Sequence, residues 1–279
     1  MYQKRVYAAF VCLLIFCIWY LFSASSETSQ VTSFSHWWAG DHVTDRLNFM
    51  VDKSRCINPE RVGDPAGVDG GWWTCMERVP QTRCVVYSFG IRDNFSFDAE
   101  MVKKGCEVHG FDPSKAGEVS IAGYNKLGAE YNKFGIGGAN LIYAPGTVPF
   151  EWPGIDYLKD TNSDPWDLRT MNKIMKDLNH ASVSVLKLDV EGSEWSAFPS
   201  ILTSDWKQLL VELHFPPNQY DLTRGPNGGA TLHRWGKPCE NEVNRLALLR
   251  EVGAMADLWN LDWNGDHCLE LSYVRKKMD

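Results

Sequence analysis

The chain has 279 residues, of which 44% are hydrophobic, and its 13 Phe, 12 Trp and 10 Tyr suffice for a packed core. This composition excludes a disordered protein. The formal net charge of −7 excludes the basic surface that nucleic-acid binding requires. We therefore expect one sizeable folded domain with additional segments and no nucleic-acid partner.

The first element is an apolar run from Val6 to Phe22, preceded by Lys4 and Arg5. At about 17 residues, the run is at the short end of what spans a bilayer. Because the two cations precede it, the positive-inside rule leaves residues 1–5 in the cytosol and the body in the lumen. We predict a signal anchor and a single-pass type II membrane protein that faces the ER or Golgi lumen. The alternative is a signal peptide cleaved near Ala24, which would give a secreted protein.

The next segments differ from a regular domain in composition. Residues 23–35 are rich in Ser and Thr and predict a short stem. Residues 36–80 are rich in Trp, Gly and Pro and predict an irregular cap on the main domain, which covers 81–279. The body has six cysteines, an even number that suits disulfides in an oxidising lumen, with buried free thiols as the alternative. Their pairing is open, and their spacing forms no zinc motif; they are Cys56, Cys75, Cys84, Cys106, Cys239 and Cys268.

In the main domain, short apolar runs alternate with helical patterns, which predicts a mostly parallel sheet with crossover helices. The expected strands are Cys84–Ser88, Cys106–Phe111, Asn132–Ile136, Val183–Leu188 and Leu209–Phe215. The expected helices are 97–104, 164–178 and 240–251. The second helix has the clearest pattern, because Asp164 can cap it, Pro165 suits its first turn, and an apolar stripe runs from Leu168 to Leu178.

The chain ends in two strand-like runs, Met255–Trp263 and Asp266–Arg275, with Asn264 and Gly265 between them. Asn-Gly between apolar runs is the strongest short-range signal for a β-hairpin, so one terminal strand must run antiparallel. A parallel α/β sheet that ends in an antiparallel hairpin resembles the Rossmann-like fold of class I methyltransferases. We therefore expect that α/β fold.

A nucleoside site is predicted where the first two strands end. The first strand leads into a turn with one glycine, Gly90, which permits close approach of the backbone to a ligand. Asp112 ends the second strand, where a carboxylate can accept hydrogen bonds from both ribose hydroxyls. Each feature alone has a plain alternative, a strand-to-helix turn for Gly90 and a helix cap for Asp112. Together they favour a bound nucleoside.

A candidate catalytic cluster follows the next two strands. Asp189 and Glu191 come directly after the fourth strand, and His214 lies near the end of the fifth. If these strands are neighbours, the three side chains converge on one crevice. They could supply a general base and hold an acceptor, or bind a divalent metal, while a buried structural role is the alternative for His214. We name these three as catalytic candidates, assign no metal ligands, and expect Lys187 to be solvated or salt-bridged.

Four blocks of the sequence resemble the methyltransferase-like family related to the FkbM methyltransferases, whose animal members are often membrane-anchored. The blocks are Val85–Ile91, Gly110–Ser114, Phe134–Gly138 and Leu186–Trp195. The resemblance implies S-adenosylmethionine as cofactor, with its methionine end at the first turn and its ribose at Asp112. The residues it implies for cofactor binding are Ser88, Phe89, Gly90, Asp112, Gly137 and Asp189. In the first loop, Ser88 and Phe89 stand where the family has an acid and a second glycine.

These observations predict a membrane-anchored, lumenal methyltransferase that uses S-adenosylmethionine and methylates an oxygen acceptor. The acceptor is a small molecule, a glycan or a protein. One alternative is a Golgi-type metal-dependent glycosyltransferase that uses Asp189 and Glu191. Another is a non-catalytic binding domain that keeps the methyltransferase-like fold.

Overall fold

The computed structural model describes residues 50–66, 68–114, 121, 123–144, 164–214, 220–224, 230–234, 240–264 and 268–276. The predicted cytosolic tail, anchor and stem lie outside these ranges. Within them, no helix is both long and apolar enough to cross a membrane. The helices are α1 (Ser96–Lys103), α2 (Met171–Asp177), α3 (Glu194–Leu202) and α4 (Glu240–Met255).

The strands of the described residues form one large sheet and three small ones. They are β1 (Pro59–Val62), β2 (Trp72–Cys75), β3 (Val85–Phe89), β4 (Glu107–Phe111), β5 (Glu130–Asn132), β6 (Gly135–Ile136), β7 (Leu141–Tyr143), β8 (Trp166–Arg169), β9 (Val183–Leu188), β10 (Trp206–His214), β11 (Tyr220–Arg224), β12 (Ala230–Arg234), β13 (Ala256–Asn264) and β14 (Cys268–Arg275). The small sheets pair β1 with β2, β11 with β12, and β8 with both β6 and β7.

The central sheet has seven strands in the order β13-β14-β10-β9-β3-β4-β5. Neighbours from β10 to β5 are parallel, whereas β14 is antiparallel to both β10 and β13. This arrangement confirms the mostly parallel sheet, the terminal hairpin and the adjacency of the fourth and fifth predicted strands. It also sets a topological switch point, because the chain builds outward from β3 through β4 to β5 and then crosses to β9 on the other side of β3.

The middle strands are mostly apolar because both faces of the sheet are covered. In β3, Tyr87 and Phe89 pack into the core that includes α2, α3 and α4. Val86 points to the opposite core, which includes α1, β1 and β2. All six residues of β9 are buried for the same reason. The two cores hold the carboxyl ends of β3 and β9 in register beside each other.

The predicted helix over 164–178 is wrong in its first half. Residues Trp166–Arg169 form β8, and α2 begins only at Met171. Burial alternates along β8, with Trp166 and Leu168 buried and Asp167 and Arg169 half-buried. A period of two residues is typical of a strand rather than a helix. Thr170 ends the strand and caps α2, since its side chain accepts a hydrogen bond from the backbone of Lys173.

The predicted strand Asn132–Ile136 is also wrong as a single element. Its start belongs to β5 in the central sheet, whereas β6 pairs with β8 in a separate sheet. A turn separates the two strands, because the backbone N–H of Phe134 donates to the carbonyl oxygen of Asn132 at 2.9 Å. The turn carries the chain out of the central sheet and toward β8.

Two disulfides occur among the described residues, which supports the predicted use of cysteine. Cys56–Cys75 joins the first 3-10 turn of the cap to β2, and Cys84–Cys106 joins the residues that precede β3 and β4. Cys268 has a free thiol. Cys239 lies outside the described residues.

The cap packs on the central sheet through buried hydrogen bonds. The side chain of Gln208 in β10 accepts from the backbone N–H of Cys75 at 2.9 Å and donates to its carbonyl oxygen at 3.0 Å. Ser272 of β14 donates to the carbonyl oxygen of Trp73 at 2.9 Å. These bonds satisfy polar backbone groups that burial would otherwise leave unpaired.

Candidate active site

A cleft of about 1020 Å³, open to solvent, lies beyond the carboxyl ends of β3, β4 and β9. This is the switch point of the sheet, where open α/β folds bind ligands. One wall is apolar and includes Ile136, Trp166 and Leu168, and the stacked rings of Phe89 and Phe111, 4.3 Å apart, lie at its floor. The other side is rich in carboxylates. Such a cleft suits a ligand with an apolar ring at one end and polar groups at the other.

Gly90 is required at the tip of the first loop for two reasons. Its φ of +74° is in the left-handed region that side chains disfavour. A Cβ at this residue would lie 1.6 Å from the carbonyl oxygen of Asp189, which is an impossible contact. The first loop is therefore packed directly against the end of β9. The backbone N–H of Gly90 also donates to the carbonyl oxygen of Phe111, at the end of β4, at 2.9 Å. Gly90 thus brings the ends of three strands together beside the cleft.

Asp112 lies at the end of β4 with only 4% of its surface exposed. One carboxylate oxygen accepts from the backbone N–H of Arg92 at 2.7 Å and the other from that of Ser114 at 2.8 Å. Burial raises the pKa of Asp112, and the bonds from Ser114 and Arg92 oppose the rise. The Ser114 side chain donates a third hydrogen bond, and a carboxylate with about four acceptor sites keeps capacity for a further donor. The residue therefore both fixes the first loop and keeps acceptor capacity beside the cleft.

Lys187 is buried in β9, so the salt-bridged alternative holds for it and the solvated one does not. Its Nζ donates to the carbonyl oxygens of Gly90 at 3.3 Å and Phe89 at 3.5 Å. It also lies 3.8 Å from Asp189 Oδ2 and 5.3 Å from the centre of the Trp72 ring. A buried cation needs such partners, and here they fix the first loop to β9.

The structure brings the three catalytic candidates together at the ends of β9 and β10. Nε2 of His214 lies 3.4 Å from Glu191 Oε2 and 3.9 Å from Asp189 Oδ1. Glu191 reaches this position through a left-handed φ of +53°. Such strain costs of order 1–3 kcal/mol and is concentrated at functional sites. Glu191 therefore reaches His214 because of the conformation of the loop after β9. It does not do so as a residue of the strand, since β9 ends at Leu188.

Glu194, at the start of α3, is a member of this cluster that sequence reasoning did not single out. It is fully buried and accepts from the backbone N–H groups of Gly192 at 2.9 Å and His214 at 2.7 Å. Its Oε1 also lies 3.3 Å from Nδ1 of His214. A signal for it existed, since an acid in the first turn of a helix suits the macrodipole. Its contacts hold the loop after β9 against the end of β10.

The electrostatics of the cluster favour the protonated form of His214. Burial alone lowers the pKa of His214, but the carboxylate of Glu194 and the contact with Cys268 raise it to well above 6.5. Burial likewise raises the pKa of Asp189, against the charges of Lys187 and His214. A protonated imidazole is neither a base nor a metal ligand. Ligand atoms of Asp189, Glu191 and His214 lie within 4.8 Å of one another, so they could hold a metal ion only after His214 loses its proton.

The predicted cofactor residues do not all reach the cleft. Phe89, Gly90, Asp112 and Asp189 line it. Ser88 is fully buried behind the first loop, near Asp98. Gly137 follows β6 and donates its N–H to the carbonyl oxygen of Arg169, whereas Gly135 is the glycine of that block that lines the cleft. The side-chain period of two explains Ser88, since Phe89 and Ser88 point to opposite faces of the sheet.

Comparison with known proteins finds similarity to methyltransferase-like proteins. The human protein named "Probable methyltransferase-like protein 24" is 24% identical over 159 residues, an alignment that covers 51% of this chain and 38% of the relative. Its rat counterpart is 23% identical over the same length and coverage. The chain therefore matches well under half the length of these relatives.

A solved S-adenosylmethionine-dependent methyltransferase from Aquifex aeolicus is 13% identical, and the alignment covers 83% of this chain and 98% of that one with a TM-score of 0.36. This score is too low to establish a shared fold, so the fold assignment rests on the strand order and on a family match. A family model described as "Methyltransferase domain" matches residues 26–236, more than half of the chain. The chain therefore belongs to this family of methyltransferase domains.

Proposed function

We propose that the chain is a membrane-anchored methyltransferase that transfers the methyl group of S-adenosylmethionine to an oxygen acceptor in the ER or Golgi lumen. S-adenosylmethionine is the donor that the family membership implies. The proposal rests mainly on one observation, which is that Gly90 and Asp112 both lie at the switch point of the sheet. A close-approaching backbone and a buried carboxylate are what a nucleoside needs at that position.

The residues of the cleft fit this donor from end to end. The apolar wall that includes Trp166 and Leu168 suits the adenine ring. Asp112 offers acceptors for the ribose hydroxyls. Lys187 offers a positive charge for the carboxylate of the methionine end, and Asp189 offers a negative charge for the sulfonium. The glycine at 90 lets the first loop contact the end of β9 beside this cleft, because a Cβ there would collide with the carbonyl oxygen of Asp189.

When bound, the donor supplies an electrophilic methyl group, and the protein contributes position and a base. Transfer to a hydroxyl would also require a group that takes the hydroxyl proton of the acceptor, and a carboxylate of the cleft would serve. The raised pKa of His214 favours its protonated form, which makes it a poor acceptor for that proton. Glu191, whose side chain is 35% exposed at the cleft, is the better base. His214 instead holds Glu191 and Asp189 beside each other.

Two observations support the lumenal location. The disulfides Cys56–Cys75 and Cys84–Cys106 form readily in an oxidising compartment and rarely in the cytosol. The apolar run from Val6 to Phe22, with Lys4 and Arg5 before it, gives the orientation that exposes the body to the lumen. A closer relation to the FkbM-type methyltransferases is part of the same proposal, and the block Leu186–Trp195 is its most specific support.

Titration calorimetry with S-adenosylhomocysteine, the demethylated form of the donor, tests the proposal. We expect one saturable site in the purified full chain. Asp112→Asn should weaken binding about 10- to 100-fold, because hydrogen bonds to a charged group contribute about 1.5–3 kcal/mol. Asp205→Asn, an acid at the opposite edge of the sheet beside Lys207, is the matched control and should leave binding unchanged.

Thermal unfolding of each variant, followed by circular dichroism, separates lost binding from lost folding. Two results contradict the proposal. One is the absence of binding in the folded wild-type chain. The other is binding of a nucleoside diphosphate sugar with manganese in place of S-adenosylhomocysteine, which would favour the glycosyltransferase alternative.

A further inference from the structure

A second cluster of chemistry-bearing side chains lies at the edge of the sheet opposite the cleft. Glu107 and Glu130 are the first residues of β4 and β5, and His109 follows in β4. His180 lies in the turn that precedes β9. Because these strands are parallel, their starts meet at one edge and their ends, with the cleft, at the other. The cluster is therefore separate from the proposed methyl-transfer site.

Three ligand atoms of this cluster converge. Nε2 of His109 lies 2.9 Å from Glu107 Oε1, and Nε2 of His180 lies 3.2 Å from the same oxygen. Ligand atoms from all three residues lie within 4.8 Å of one another. In a tetrahedral zinc site with bonds of about 2.0–2.2 Å, ligand atoms lie roughly 3.3–3.6 Å apart. The two separations from Glu107 Oε1 are slightly shorter than those that a zinc ion imposes, so small side-chain rotations would admit the ion.

The outer nitrogen of each imidazole faces a partner that can orient it. Nδ1 of His180 lies 2.8 Å from the hydroxyl of Tyr87. Nδ1 of His109 lies 3.4 Å from Glu130 Oε2. Histidines that bind metals commonly donate their other N–H to a carboxylate or another acceptor, which fixes the tautomer and leaves the inner nitrogen free to ligate. The hydroxyl of Tyr87 holds His180 in this way. Glu130 lies beside Nδ1 of His109 without a hydrogen bond in this structure, and a small rotation would form one. In both imidazoles Nε2 is directed at Glu107.

Burial differs between the two sides of the cluster. The side chain of His109 is 4% exposed, so an ion bound at its Nε2 would be shielded from water on that side. Glu107 is 59% exposed, which leaves a path from solvent to the cluster. The cluster is thus buried at His109 and exposed to solvent at Glu107.

We propose that Glu107, His109 and His180 bind a zinc ion, with Glu130 and Tyr87 orienting the two imidazoles from outside. Two nitrogens and one carboxylate oxygen are a ligand set that zinc favours, and water would take the fourth position. The ion would tie the start of β4 to the turn before β9, two segments on either side of β3. It would stabilise the sheet from the edge opposite the cleft.

The test is zinc binding to the purified full chain after treatment with a chelator, measured by competition with a chromogenic indicator. We expect one tight site in the wild type. Glu107→Gln and His180→Gln remove ligands from the exposed side and should each weaken binding more than about 100-fold, whereas Glu130→Gln should weaken it about 10- to 100-fold. Zinc should raise the melting temperature of the wild type but not of the two ligand variants.

His214→Gln is the matched control, because His214 is the histidine of the other acid cluster. It should keep tight zinc binding. Melting curves in the absence of zinc show whether each variant folds, and Glu107→Gln carries the test if His180→Gln does not fold. The proposal is overturned if the wild type binds no zinc, if Glu107→Gln binds it as the wild type does, or if His214→Gln alone abolishes binding.

Discussion

Replacing Gly90 by Ala tests the claim that the end of the first loop is pressed against β9. The added Cβ would meet two separate obstacles. The residue would have to keep a φ of +74°, which costs an L-residue about 1–2 kcal/mol. The Cβ would also lie 1.6 Å from the carbonyl oxygen of Asp189, so one of the two segments must move. Overpacking of this kind costs about 1–3 kcal/mol.

Together these contributions predict that Gly90→Ala lowers the free energy of unfolding by about 2–5 kcal/mol. Gly105→Ala is the matched control, because Gly105 has a similar φ of +86° but no atom within 4 Å of the position of its Cβ. It should lower the free energy of unfolding by only about 1–2 kcal/mol. The difference between the two variants isolates the contact with Asp189 from the strain of the backbone.

Urea unfolding of the oxidised protein, followed by circular dichroism, measures both values, and calorimetry with S-adenosylhomocysteine measures the functional consequence. We expect Gly90→Ala to lose most of its affinity and Gly105→Ala to keep it, because only the first change moves the ends of β3 and β9. Equal destabilisation by the two substitutions, with affinity retained in both, would refute the reasoning.

Three further predictions concern buried polar groups. Gln208→Leu should lower the free energy of unfolding in urea by about 1–3 kcal/mol for each of the two backbone groups of Cys75 that it leaves unpaired. Burial raises the pKa of Asp98 from 3.8 to about 6. A raised pKa favours the protonated folded state, so the wild type should lose about 3 kcal/mol relative to Asp98→Asn as the pH rises from well below 3.8 to well above 6, measured by urea unfolding across this range; a constant difference would contradict the assignment. Glu194→Gln should lower the pKa of His214, which NMR titration of the imidazole measures, and an unchanged pKa would show that the Glu194 charge does not control it.

The central sheet could be predicted from the sequence because burial on both faces makes its strands continuous apolar runs. Val183–Leu188 is such a run, and the structure has β9 at those same residues. The terminal hairpin could also be predicted from the sequence, because Asn-Gly strongly favours a tight turn through its own backbone preferences. These elements are specified by nearby residues, and distant contacts only reinforce them.

Elements specified by distant partners could not be predicted. Residues Trp166–Arg169 have a capping pattern before them and an apolar stripe after them, yet pairing with β6 and β7 makes them a strand. The apolar stripe was real, but only its part from Met171 onward belongs to a helix. Local propensity gave way here to tertiary pairing.

In the candidate site, too, some residues could be predicted from the local sequence and others depend on distant contacts. Gly90 and Asp112 could be singled out because strand ends are where ligands bind. The burial of Lys187 and the hydrogen bonds of Glu194 could not, because both depend on which loops pack against β9 and β10. His109 and His180 are far apart in sequence, and only the parallel arrangement of β4 and β9 around β3 brings them together.

A crystal structure of the chain with S-adenosylhomocysteine tests the proposed nucleoside site directly. We expect the nucleoside at the carboxyl ends of β3 and β4, with its ribose hydroxyls bonded to the carboxylate of Asp112 and its adenine against Trp166 and Leu168. A nucleoside bound elsewhere on the protein, or bound in the cleft without contact to Asp112, would contradict it.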